Sequence, residues 1–210
     1  MIDMSGLRER LEYHISKNRL ETLVDGVFAI AMTILVLGIT PPKPDISQAH
    51  VVLPGKIFAL VPEILLFILA FLILASFWLD HHHQFHFVRV IDSRLLWINI
   101  FLLISVVLIP FSTDLVGEYY NVQIAVLFFT INILIVGLIF SYHLYYISQS
   151  EHLIESQADK KSMRVLFHQS LLIPFIAFIA VFISFVNPPV SLLVYLGVPF
   201  AKYFVNRFYP

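Results

Sequence analysis

Ionisable side chains set within or beside long apolar runs are where this sequence could do chemistry. Asp25 opens the run Gly-Val-Phe-Ala-Ile-Ala-Met, and Glu63 stands ahead of Ile-Leu-Leu-Phe-Ile-Leu-Ala. A charge in lipid is costly and is retained where it pairs, caps a helix or serves an ion path. For Asp25 the simpler alternative is capping, because Thr22 and Asp25 have the S/T-x-x-acid spacing of a capping box and an acid suits a positive helix start. For Glu63 it is snorkelling to the nearer interface. A second cluster is Asp80, His81, His82, His83 and His86. Its His82 and His86, four apart, could share a metal ion on one helix face. A membrane di-iron enzyme would need several such boxes, yet His14, His50, His143, His152 and His168 are scattered, so polar packing at a helix end is the simpler role. A third pattern is Gly26, Ile30, Thr33 and Leu37. Steps of four, three and four put them on one stripe, which suits either helix packing or the wall of a narrow pore made by several copies.

Much other chemistry is missing. There is no cysteine, so no thiolate metal site or cysteine nucleophile. No P-loop, dinucleotide glycine turn or H-E-x-x-H motif occurs, no Ser/His/Asp set has a local signature, and the T-V-G-Y-G filter of ordinary potassium channels is absent. The expectation is a protein that is not an enzyme and binds no cofactor and no structural metal. A net charge of −1 also argues against nucleic acid as a partner.

The elements that must position these residues read as transmembrane helices. The 210 residues are 59% hydrophobic and 13% charged, well on the apolar side of soluble domains. Six windows are near the roughly 20 apolar residues that cross a bilayer: 23–39, 57–79, 95–111, 122–146, 166–186 and 189–205. Strands are excluded, since lipid leaves an open sheet edge unpaired. Pro41, Pro42 and Pro44 end the first span. Polar stretches at 80–94, 112–121 and 148–164 separate the next ones, and Asn187-Pro188-Pro189 makes a tight turn. The predicted fold is all-α, one transmembrane domain over 1–210, with a charged arm at 1–22 and a first helix retained rather than cleaved as a signal. Eleven of the 13 Lys and Arg fall on one side of this topology, and only Lys43 and Lys56 on the other. The positive-inside rule then puts both termini in the cytoplasm of a multi-pass protein of the cell membrane.

Two stretches resemble the lysosomal/endosomal potassium channel family. Arg19-Leu-Glu-Thr-Leu23-Val24-Asp25 is similar to the R-x-x-x-F-S-D signature that opens the family's first helix, with Leu23 in place of Phe and Val24 in place of Ser. Phe77-Trp78-Leu-Asp-His81-His82, Leu96-Trp97-Ile-Asn99 and Ile109-Pro110-Phe111 are similar to the family's W-x-x-H-H and L-W-x-N…P-F pattern. The resemblance covers Arg19–Phe111 and implies a six-helix prokaryotic member: a passive, potassium-preferring cation channel, homotetrameric, in a lipid bilayer, holding K+ and other monovalent cations only transiently. It implies that Ile30, Thr33 and Leu37 line the pore, with Ile30 as the main hydrophobic constriction. It also implies a polar network at the inner mouth that joins Arg19 and Asp25 to some of Trp78, His81, His82 and Asn99, with histidines that could make it pH-sensitive. Asp45, Asp114 and Glu118 would make the outer approach mildly acidic. The rival readings are a proton-coupled secondary transporter using Asp25, Glu63 or His81, a metal-dependent membrane enzyme built on the His cluster, and a non-conducting scaffold.

Overall fold

A computed structural model describes residues 16–154 and 160–208. Most of the expected arm over 1–22 lies outside these residues, and from Lys17 onward the chain is already the first turns of helix α1 (Lys17–Ile34), which a tight 3-10 turn extends to Gly38. Asp25 is therefore in the interior of α1 and does not cap it. The Thr22 hydroxyl bonds back to the Asn18 carbonyl (2.7 Å) instead. The capping reading of Asp25 fails because the helix starts two turns earlier than its apolar run.

The expected second span begins inside what are two helices, α2 (Ala49–Ala59) and α3 (Val61–Phe85). The break falls at Leu60, and Pro62 occupies the first turn of α3, where a missing N–H costs nothing. Glu63 is thus also in the first turn, where the helix dipole favours an acid. Helix α4 (Ser93–Tyr119) runs straight through Pro110 and takes up most of the stretch expected as a loop at 112–121. The Ser112 and Thr113 hydroxyls bond the Ile109 carbonyl (2.9 and 2.8 Å), so these polar residues are satisfied without leaving the helix.

Helix α5 (Gln123–Gln149) is the central post. Its Val126, Phe129, Ile133, Val136, Phe140, Leu144 and Ile147 are all buried, at steps of three and four. Helices α6 (Lys160–Ser170) and α7 (Leu172–Ser184) meet at Leu171, with Pro174 in the first turn of α7. Pro174 presses on α5 at Gly137, where a Cβ would come within 2.7 Å of the proline ring, so only glycine allows this approach. Asn187 accepts a hydrogen bond from the Val190 amide (3.3 Å) and caps α8 (Pro188–Leu193). A 3-10 turn (Val194–Leu196) then leads to α9 (Gly197–Phe208).

Among the described residues five helical stretches are long and apolar enough to cross a membrane: Lys17–Gly38, Val61–Phe85, Ser93–Tyr119, Gln123–Gln149 and Lys161–Ser184. The sixth expected window is broken into α8, the 3-10 turn and α9, and no single piece reaches spanning length. The shared core joins Val24 and Phe28 of α1, Leu74 and Phe77 of α3, Val106 of α4, Phe129 and Phe140 of α5, Ala177 of α7 and Tyr195.

Candidate functional site

Helix α1 has two unlike faces. Leu20, Val24, Phe28, Ala31 and Leu35 are buried against the bundle. The other face is uncovered within the single chain: Ile30 is 59% exposed and Leu37 74%, and Gly26 and Thr33 lie open beside them. The Thr33 hydroxyl donates to the carbonyls of its own helix at Ala29 and Ile30 (both 2.9 Å). The single hydroxyl proton is thereby spent within the helix, and the threonine oxygen on this open face keeps its capacity to accept. Val24, in the position of the signature serine, packs entirely into the core.

At one end of the bundle, α3 carries a row of polar groups that each reach a different helix. Trp78 Nε1 donates to Asp25 Oδ1 of α1 (2.8 Å). Asp80 receives Lys202 Nζ of α9 on both carboxylate oxygens (2.8 and 2.7 Å). His81 and Asn99 of α4 meet at 2.9 Å, and since Asn99 Oδ1 only accepts, His81 Nε2 carries the proton. Asn99 Nδ2 donates to the Leu95 carbonyl (2.8 Å) and to His143 Nε2 of α5 (3.2 Å). That requires Nε2 of His143 to be bare, so its Nδ1–H donates to Gln84 Oε1 (2.6 Å). Every donor in this buried chain finds an acceptor only while His143 is neutral. A second proton on it would face the Asn99 amide, itself a donor.

Of the residues expected in the network, two pairs come together: Asp25 with Trp78, and His81 with Asn99. His82 is exposed, its ring 6.3 Å from that of Trp78. Arg19 is also exposed, and among the described residues no hydrogen bond or ion pair joins it to the others. Gln84, His143 and Lys202 belong to the array by geometry and were missed as site residues. His143 sits deep in an apolar run, which is the signal that singled out Asp25. No three His, Asp or Glu side chains among the described residues converge as metal ligands.

At the opposite end Glu63, Asp114 and Glu118 line an open cleft of about 200 Å³ together with Gly38 and Thr40. Gly38 packs so closely on Asp114 that a Cβ there would lie 2.9 Å from its carboxylate.

This arrangement has relatives. Residues 19–110 match the family described as "Endosomal/lysosomal potassium channel TMEM175". A potassium channel of Chamaesiphon minutus is 30% identical over 194 residues, which cover 90% of this chain and 93% of that one. The chain belongs to the TMEM175 family. The crystal structure of a lysosomal potassium-selective channel TMEM175 homologue from Chamaesiphon minutus superposes with a TM-score of 0.76 at 28% identity, over 91% of this chain and 97% of that one. The endosomal/lysosomal proton channel TMEM175 of Mus musculus is 24% identical over 203 residues, 94% of this chain but 40% of the mouse protein. As a TMEM175 family protein with several long apolar helices, this chain is an integral membrane protein.

Proposed function

We propose that this protein is a passive potassium-preferring cation channel of the cell membrane, assembled as a homotetramer whose first helices surround the ion path. It is not an enzyme: its relatives are named as potassium channels, and such flow needs no catalytic group. The observation that carries the reading is α1 itself, packed on one face and open on the face that bears Ile30, Thr33 and Leu37. Four copies of that face around an axis would make an apolar ring at Ile30, a ring of threonine oxygens one turn further, and a second apolar ring at Leu37. A dry ring of this kind blocks ions until it widens or wets.

Six crossings with both termini in the cytoplasm fit this assembly. Taken end to end, Pro188–Phe208 reaches about 30 Å at about 1.5 Å per residue, enough for a sixth passage despite its 3-10 turn. With the charge bias in the sequence, the end bearing the polar array is then the inner mouth, and the acidic cleft of Glu63, Asp114 and Glu118 is outside. The bond from Trp78 to Asp25 would hold α1 on α3, itself tied to α4 through His81, at the angle that sets the pore.

The test is potassium flux into proteoliposomes, wild type beside Ile30→Asn, with sodium for comparison. Flux that rises severalfold in the variant and favours potassium supports a channel constricted at Ile30. Slow, saturable, proton-dependent exchange in both proteins would turn the assignment to a coupled transporter.

A further inference from the structure

The bidentate ion pair between Asp80 and Lys202 has no role in the reading above. Both side chains are largely withdrawn from solvent, Asp80 10% and Lys202 19% exposed, and the two residues are 122 apart in sequence. The pair links α3 to α9, a helix packed on α6 and α7. Through the ion pair, its shortest path to the first helix runs through α3, which packs on α1 directly. Trp78 and Asp80, two residues apart, point to nearly opposite sides of α3. One side is tied to α1 through Asp25 and the other to α9 through Lys202, while His81 and Gln84 fix α3 to α4 and α5. The rotation of α3 about its axis is thus set from two opposed sides. Loss of the α9 tether would leave that rotation to Trp78 on one side and to the bonds of His81 and Gln84 on the other, with nothing opposing them at Asp80.

We infer that Asp80 and Lys202 are positioning residues for gating: their ion pair holds α3 in the rotation that lets Trp78 grip Asp25, and so couples the C-terminal helix to the width of the path along α1. The inference rests on the proposed role of α1, and the test separates the two. Potassium flux is measured in proteoliposomes for Asp80→Asn, Lys202→Met, the two together, and the exchange Asp80→Lys with Lys202→Asp. Ile30→Asn is the control for the pore. Emission of Trp78 is read in a Trp97→Phe background, since the chain has only these two tryptophans.

Each single variant should change flux by at least about fivefold, the lower end of ordinary coupling between sites, and should shift Trp78 emission. The double neutralisation should do no more than either single, and the exchange should move both readouts back towards wild type. Unchanged flux and emission in folded singles, beside an Ile30→Asn that still conducts more, would overturn the inference. If Ile30→Asn has no effect on flux, the pore reading has failed and the emission alone decides the coupling of α9 to Trp78: a shift supports it, none overturns it. Should Asp80→Asn not fold, Lys202→Arg and Lys202→Gln carry the test. Arg should keep wild-type flux and emission while Gln shifts both, and equal behaviour of the two would overturn the inference.

Discussion

Asn99 is the residue on which the buried polar chain turns, because it accepts from His81 and donates to His143 and to the Leu95 carbonyl. It is fully buried, so its loss cannot be made good by water. Asn99→Ala should destabilise the folded protein by about 1–3 kcal/mol, the cost of stranding buried polar groups. Trp78→Phe removes a bond of similar length, but Asp25 is exposed and resolvates, so the loss should be under about 1 kcal/mol. Thermal unfolding in detergent compares the two, and equal losses would refute the ranking. These sites differ in how far the sequence disclosed them. Asp25, Trp78, His81 and Asn99 could be named through their resemblance to family motifs. Gln84 and His143 could not, because their partnership joins residues 59 apart and only the packing of α3 on α5 brings them together. Lys202 was legible only as a charge on one side of the topology, since a single lysine gives no hint of which distant carboxylate it meets.

Helix ends were the part of the fold that apolar patterning located least well. The sequence marks where hydrophobic character stops, but α1, α3 and α4 continue past it: in α4 a cap and two hydroxyls satisfy the backbone beyond the apolar run, and in α3 the added turns bury His81, Gln84 and Phe85. The start of α4 is an example. Asp92 Oδ1 accepts the Leu95 amide (2.7 Å), and Oδ2 accepts the Tyr146 hydroxyl and faces His152 Nε2 at 3.4 Å. Partial burial raises the Asp92 carboxyl, but bonds from Tyr146, the Leu95 amide and His152 outweigh it and hold the group below the usual carboxylate range. A depressed folded value means the stabilisation is complete above the ordinary carboxyl pKa and fades as pH falls through the lower folded one. The stability gap between wild type and Asp92→Asn should therefore be constant near neutrality and shrink below about pH 4. A gap that grew on acidification would contradict this geometry. Close packing between elements makes a separate prediction. Gly137→Ala must displace the Pro174 ring or its backbone and should cost about 1–3 kcal/mol. Gly26, with nothing within 4 Å of a built Cβ, should tolerate alanine without loss of monomer stability.

In the molecule as a whole, the first helix keeps one face that the single chain does not cover. A face bearing Gly26, Ile30, Thr33 and Leu37 meets either lipid or other copies, and Thr33, its proton bonded within its own helix, is compatible with both. If copies meet around an axis, Leu37 approaches its own equivalents while Phe28, buried on the opposite face, does not. The chain has no cysteine, which makes a clean experiment possible. Leu37→Cys, oxidised in the membrane before solubilisation or joined by a short bis-maleimide, should give a cross-linked dimer on a denaturing gel. Phe28→Cys under the same conditions should stay monomeric, because it is buried within its own chain, out of reach of a maleimide and of the Cβ separation of about 4.5 Å that a disulfide needs. Native mass spectrometry of the unmodified protein should give the mass of four chains. Cross-linking at neither position, with a monomer mass, would place the open face of α1 against lipid and remove the ion path from this helix. Cross-linking at Leu37 with a dimer mass would keep the face but leave too few copies to close a ring around it.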